Sequence, residues 1–371
     1  MNSSASTIPF NDLSRTPVGL MREIEAAVAR VLASGWYVLG PEHDAFEGEL
    51  AQYIGSQHVV LLGNGTDALE LGLAALGVTL GDRVITVANA GAYATVAMRL
   101  LGAIPVFADV SPETHLMTVE TFEAALASSA EQPRAVVVTH LYGAVADVEG
   151  IAAVAHRHGI AVLEDCAQSL GARRGGRLAG TTGDIATTSF YPTKNLGALG
   201  DGGAVYTNDS ALADAVRRMR QYGWTSKYRI EVDHGRNSRL DELQAAILRV
   251  KLPHLDEWNE RRRAIHTQYQ AASSSLVHST DEAFIAHLAV ATSSQRDRVR
   301  ERLESSGVST DVHYPLPDHR QGFPVALATA PLPVTERLAG EVFSVPMFPQ
   351  LTASEIDRIS EALAAAESAD G

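Results

Sequence analysis

Ser189-Phe-Tyr-Pro-Thr-Lys194-Asn-Leu-Gly-Ala-Leu-Gly-Asp-Gly-Gly203 lies between two short β-branched runs, residues 185–189 and 203–207. Runs of the same kind recur upstream at residues 58–62, 83–88, 104–108, 135–139 and 160–164. Ala- and Leu-rich helical patterns lie between several of them, at 67–76 and 147–158 for instance. This alternation is the signature of an α/β fold. Because the runs are mostly apolar instead of alternating, they predict a mostly parallel sheet with helices on both faces. Sites in such folds gather at the carboxyl ends of the strands. Asp165 falls at one such end, and the turn Gly65-Thr66 follows another.

Downstream, Leu240, Leu243, Ile247, Val250 and Leu255 approximate helical spacing from Arg239 onward, with Pro253 as the expected kink. Strand-like stretches at 284–291 and 309–314, a polar helical stretch at 294–306 and an amphipathic helix from Ala353 predict a smaller α+β unit. At 371 residues the chain exceeds what one compact core usually holds. We therefore expect a large domain over 1–250 and a small one over 251–371.

Composition narrows the function. Hydrophobic residues are 46% and charged residues 20%, a globular balance. A net charge of -14 argues against nucleic acid, whose phosphates need a concentrated basic surface. No apolar run reaches membrane length, and Met1 to Pro9 lacks the basic and apolar regions of a secretory signal. The single cysteine, Cys166, allows no intrachain disulfide. A cytoplasmic protein is expected. The histidine pairs His156/His158 and His313/His319 lack the context of a zinc site, so no metal is expected.

Lys194 and the acidic stretch Glu164-Asp165-Cys166-Ala167-Gln168 point to pyridoxal phosphate. A lysine that condenses with a carbonyl must sit in a partly desolvated pocket, where its amine becomes neutral. An aspartate on the pyridine nitrogen is the matching requirement for a cofactor that draws electrons from its substrate. Gly63-Asn64-Gly65-Thr66-Asp67-Ala68-Leu69 joins a strand to a helix and has two readings, an anion-binding helix N-terminus or a plain N-cap by Thr66 or Asp67. No Walker lysine follows it. Gly197, Gly200, Gly202 and Gly203 precede a strand and open no helix, so they do not form a dinucleotide fingerprint.

Together, Asn64-Gly-Thr-Asp-Ala-Leu69, His140-Leu-Tyr-Gly143, Glu164 to Gln168, Ser189 to Asn195, Gly200-Asp-Gly-Gly203 and Asn237-Ser-Arg-Leu-Asp-Glu-Leu-Gln-Ala-Ala246 resemble the DegT/DnrJ/EryC1/StrS sugar aminotransferases. The resemblance runs from about Ile8 to the C-terminus. It implies the fold-type I architecture of pyridoxal-phosphate transferases, a homodimer with shared active sites, and two half-reactions. In these an amino acid, glutamate or glutamine, aminates a nucleoside-diphosphate-linked keto sugar. The block around Lys194 is more similar to the branch acting at C3 of 3-keto-6-deoxyhexoses than to the C4 branch.

Site roles follow from the same resemblance. Lys194 carries the Schiff base and shuttles the proton, Asp165 holds the pyridine nitrogen, and Gln168 bonds the 3-hydroxyl. Gly65, Thr66 and Ser189 grip the phosphate, with Asn237 entering from the partner subunit or serving as a local turn donor. Where relatives place an aromatic over the ring, this chain has Gly91, and Tyr93 two residues on is either the stacker or a packed helix residue. Lys227, Tyr228, Arg239, His313 and Tyr314 are candidates for the substrate, each with surface or packing roles as the alternative. A cyclitol aminotransferase, a C4 sugar aminotransferase and a non-enzymatic regulator are the rival functions. A dehydratase of this fold resembles the family with histidine in place of the lysine, which is intact here.

Overall fold

A computed structural model describes residues 7–277, 281–323 and 328–368. Seven strands form the central sheet: β1 His58–Leu62, β2 Arg83–Val87, β3 Ile104–Ala108, β4 Ala135–Thr139, β5 Ala161–Asp165, β6 Ile185–Ser189 and β7 Gly203–Thr207. Their spatial order is β1-β7-β6-β5-β4-β2-β3, with the two-residue strand Ala328–Thr329 added in parallel beside β3. Only β7 runs antiparallel to its neighbours β1 and β6.

The apolar composition of these strands has a direct cause. Val84, Val137 and Leu163 pack into one buried cluster, whereas Ile85, Val136, Val138 and Val162 enter another on the opposite face. With side chains alternating across a strand, burial on both faces requires every position to be apolar. Helices Gly65–Ala75, Tyr93–Leu100 and Ser210–Met219 contribute to the first cluster, and Val119–Ser128 and Val148–Arg157 to the second. The second cluster also takes in Val290, Phe343 and Ile359 from the C-terminal segment. There Ala289–Thr292 pairs antiparallel with Val342–Val345, flanked by helices Arg296–Ser305 and Ala353–Ser368.

Four expectations are adjusted by the structure. The helix expected from Arg239 begins at Glu242, because the backbone of Asp241 before it is extended; the Glu242 carboxylate accepts the N–H groups of Gly40, Glu42 and His43 and so caps helix Pro41–Ile54. Pro253 lies in a single 3-10 turn, Leu252–His254, before helix Leu255–Ala272, a continuation that suits a residue lacking an N–H. The stretch 309–314 is no strand: only Asp311 bridges to Ser344, and the chain then turns His313 and Tyr314 toward the sheet. Likewise the strand expected at 284–291 shortens to Ala289–Thr292, with Phe284 making an isolated bridge to Ala144. No described helix is long and apolar enough to cross a membrane.

Candidate active site

A cavity of about 630 Å³ opens at the carboxyl ends of the strands and is lined by Asp165, Gln168, Ser189, Lys194, Tyr93 and Tyr314, among others. Its floor begins with β5. Asp165 is that strand's last residue, and its Oδ1 accepts the Ala167 N–H at 3.1 Å. Burial raises the Asp165 pKa, while the Ala167 N–H, Lys194 and His140 oppose that rise. Glu164, one residue earlier, points to the other side of the sheet. Its oxygens accept from the N–H groups of Gly180, Thr182 and Gly183 at 2.8, 2.8 and 2.6 Å, and His140 Nε2 lies 2.9 Å away. The backbone N–H of Ala146 donates to His140 Nδ1, so Nε2 carries the proton given to Glu164. Burial pushes the Glu164 pKa up, but these donors outweigh it and hold the carboxylate below its usual value.

Lys194 follows β6 in a turn closed by its own N–H to Tyr191 O. Burial brings its amine down to about 8, against the pull of Asp165. The two groups thus behave as a coupled pair in a shielded site, which makes a neutral lysine accessible near physiological pH.

The third wall is the N-terminus of helix Gly65–Ala75. The cap is Asn64, whose side chain accepts the Asp67 N–H at 2.8 Å. Neither Thr66 nor Asp67 is therefore the N-cap, and Gly65 and Thr66 face the cavity with Ser189. A Cβ at Gly65 would come within 2.7 Å of Ser189 Cβ, so only glycine lets the helix end approach β6 this closely. A helix N-terminus flanked by two hydroxyls is a receptor for a phosphate. Thr139 Oγ1, at the end of β4, is buried on the cavity wall without a hydrogen-bond partner among the described residues. An orphaned buried polar atom, a glycine-tight anion cradle, and a lysine and carboxylate on one floor all fit pyridoxal phosphate.

The roof carries aromatics. Gln168 Oε1 accepts the Tyr142 N–H at 2.7 Å and its Nε2 donates to Tyr314 Oη at 3.0 Å. Tyr93 opens helix Tyr93–Leu100, half exposed, its ring edge-to-face with Tyr314 at 6.3 Å. The missing aromatic at Gly91 is explained by space: a Cβ there would meet the Tyr314 ring at 2.8 Å and the Tyr93 ring at 3.0 Å. His313 also lines the cavity, with Nδ1 3.0 Å from Ser344 Oγ.

Four candidates stand apart from this cavity. Asn237 is exposed and bridges to Gln221. Lys227 and Tyr228 are exposed, the ammonium 5.2 Å from the ring, and Arg239 lies 6.0 Å from the Tyr222 ring. Conversely, His287 and Thr139 line the cavity without having been read as site residues. For His287 the available signal was a lone histidine inside the apolar run Phe284-Ile-Ala-His-Leu-Ala-Val290.

Among the described residues, His140, Glu164 and Cys166 form the one group with metal-ligating atoms mutually close, within 4.8 Å. Glu164 is already saturated by donors, and burial pushes the Cys166 thiol well up. The group therefore reads as a hydrogen-bonded brace.

Comparison with known proteins agrees with this construction. The erythromycin biosynthesis sensory transduction protein EryC1 of Saccharopolyspora erythraea is 44% identical, covering 96% of this chain and 99% of that one. The dTDP-3-amino-3,4,6-trideoxy-alpha-D-glucose transaminase of Micromonospora megalomicea is also 44% identical, over 92% and 94% of the two chains. The crystal structure of S. venezuelae DesV in complex with a ketimine intermediate superposes with a TM-score of 0.91 at 39% identity, covering 98% of this chain and 99% of that one. The pattern of the DegT/DnrJ/EryC1/StrS aminotransferase family matches residues 20–364. This chain belongs to the DegT/DnrJ/EryC1/StrS aminotransferase family, whose cofactor is pyridoxal phosphate.

Proposed function

We propose that this aminotransferase moves an amino group from an amino acid, glutamate or glutamine, to C3 of a keto sugar carried on a nucleoside diphosphate. The observation that carries the chemistry is the placement of Lys194 and Asp165 on one floor beneath the glycine-tight helix end at Gly65. The likeness to a dTDP-sugar 3-transaminase supports the substrate class.

Lys194 would hold the cofactor covalently, Asp165 its ring nitrogen and Gln168 its 3-hydroxyl. Gly65, Thr66 and Ser189 would hold its phosphate. When bound, pyridoxal phosphate supplies an electron sink for the charge left on a substrate carbon that loses its proton. Lys194, with its amine brought to about 8, then serves at Nζ as the base and acid for that proton. Asp165 stays ionised opposite a cation that compensates its burial, as a buried charge must. Tyr93 covers the exposed face and, with Tyr314 and His313, narrows the path by which water and sugar enter.

The assembly we infer is a homodimer. Asn237 would complete the phosphate cradle of the partner, and Lys227, Tyr228 and Arg239 would meet the nucleotide diphosphate there. Clustered aromatics beside cations, Tyr222, Trp224 and Tyr228 with Lys227 and Arg239, suit a base and a diphosphate. Residues 251–371 act as the small domain, delivering His313 and Tyr314 to the cavity. A buried single cysteine fits a reducing cytoplasm.

Borohydride reduction of the loaded protein should fix the cofactor to Lys194 in a peptide map. Lys194→Ala should lose the band of lysine-bound cofactor and reduce transamination on the order of 10³-fold or more. A variant that keeps full transamination overturns the reading.

A further inference from the structure

We propose that His287 is a positioning residue for Lys194, held by an amide relay as the Nδ1–H tautomer so that its bare Nε2 accepts from the lysine ammonium. The inference rests on Lys194 being the reacting lysine.

The relay can be read outward from atoms whose roles are unambiguous. Leu170 O is a carbonyl and must accept, so Asn259 Nδ2, at 3.1 Å, donates to it. Asn259 Oδ1 is then an acceptor, and it receives Asn195 Nδ2 at 2.7 Å. Ile285 O, 3.5 Å from the same Asn195 nitrogen, agrees with that assignment. Asn195 Oδ1 is left as an acceptor, and its partner is His287 Nδ1 at 2.8 Å. His287 Nδ1 must carry the proton. In the neutral ring Nε2 is consequently a lone pair, and it has no hydrogen bond within the described protein.

Four features make this arrangement specific. Asn195 is the residue after Lys194, so the relay ties the imidazole to the lysine's own loop. Both asparagines and His287 are buried, which makes each of these bonds costly to break. His287 and Lys194 line the same cavity. The charged and titratable groups acting on His287 are Lys194, Arg262 from helix Leu255–Ala272, and His313; all are cationic or neutral, and Arg262 donates to His287 O. Burial and these neighbours keep the ring neutral, well below its ordinary value.

His140 supplies a contrast within the same molecule. Its Nδ1 accepts from Ala146 N–H, which forces the opposite tautomer and aims an N–H at Glu164. One buried histidine is built as a donor to a carboxylate. The other is built as an acceptor beside an amine. An acceptor is what an ammonium needs whenever Lys194 is free and protonated. No hydrogen bond joins the two side chains in this structure; the bond inferred here forms when the protonated amine turns to Nε2, and it would steady Nζ without moving the proton off it.

The test uses the full-length protein. In protein labelled with ¹⁵N-histidine, with the resonance assigned through His287→Gln, we expect a neutral Nδ1–H ring across the neutral pH range. A ring protonated at Nε2, or one that titrates near the ordinary histidine value, overturns the proposal. In apoprotein, the pH dependence of Lys194 modification by an amine reagent should move its midpoint downward in His287→Phe, because the acceptor that stabilises the ammonium is gone. His287→Gln, which retains an acceptor, should restore part of the shift. Transamination by His287→Phe should fall about tenfold, with the affinity for pyridoxal phosphate changed less than threefold. An unchanged midpoint in a folded His287→Phe also overturns it. Should His287→Phe not fold, the wild-type tautomer alone decides. The underlying lysine assignment fails separately, through a borohydride label that is absent from Lys194.

Discussion

Asp165 at the floor of the cavity, and Glu164 and His140 behind it, are buried and joined to each other's strands by hydrogen bonds. Apart from the cavity, Lys227, Tyr228 and Asn237 stand exposed on a short hairpin and the loop after it. The floor is finished within one protomer, where charges are neutralised by fixed donors. The polar side-chain atoms of the outer residues make no hydrogen bond among the described residues, which leaves them open to a second molecule. Preorganised electrostatics belongs where the chemistry is common to every substrate, and adaptable surface where substrates differ.

The sharpest way to break this comparison is at Asp165. Asp165→Asn keeps shape and burial but removes the charge that would hold a protonated ring nitrogen. Transamination is expected to fall by roughly 10²–10⁴-fold with little loss of melting temperature. A variant of near-normal rate would show that the floor's charge does no chemistry.

Glu164→Gln probes the structural half of the same floor. The replacement amide would turn an NH₂ toward N–H donors and remove the partner of the His140 Nε2 proton. Destabilisation of about 3 kcal/mol is expected in urea unfolding, as for other broken buried pairs. An unchanged midpoint would mean that the brace is dispensable.

These two regions were not equally legible in the sequence. Strands β1 to β7 were readable because burial on both faces leaves runs of apolar residues bounded by glycine and polar turns. Asp165 and Lys194 stood out because Schiff-base chemistry would demand a carboxylate and a lysine near the carboxyl ends of strands, and the structure brings both to one cavity. The stretch 309–314 was misread, since Thr310, Val312 and Tyr314 alternate as in a strand while within it only Asp311 makes a β-bridge. His287 escaped because its meaning resides in Asn195 and Asn259, far away in sequence. Asn237 and Lys227 could be placed only by likeness, because their partners would lie on another copy of the chain.

Mixing experiments sharpen that last point. Lys194→Ala and Asn237→Ala protomers are each expected to be impaired, the second by several-fold in cofactor affinity. A dimer with sites shared between subunits should recover activity when the two are combined, since one site of the hybrid then holds both native residues. Lys227→Ala and Arg239→Ala should raise KM for the sugar nucleotide severalfold with kcat nearly unchanged, the pattern of uniform binding. Absence of recovery on mixing would place Asn237 in its own subunit's scaffold.

The smallest effect is expected where the two building rules meet, at Asp318. This carboxylate is as buried as Glu164, yet it supports the rim. Its Oδ1 accepts the Ala92 N–H at 2.9 Å and its Oδ2 the Thr95 hydroxyl at 2.5 Å, holding the start of the helix that carries Tyr93. Glu164 accepts three backbone N–H groups and the His140 Nε2–H, whereas Asp318 has fewer donors and no cation among the described residues, so burial raises its pKa from 3.8 to about 7. Between those values the folded chain retains a proton that the unfolded chain has released. Stability from this group therefore falls as pH rises from 3.8 toward about 7. Asp318→Asn, which cannot ionise, should flatten that part of the melting-temperature profile and leave the slope above neutrality alone. If the slope is the same in both proteins, Asp318 is ionised throughout, and a buried rim carboxylate has found compensation that the floor obtains from His140.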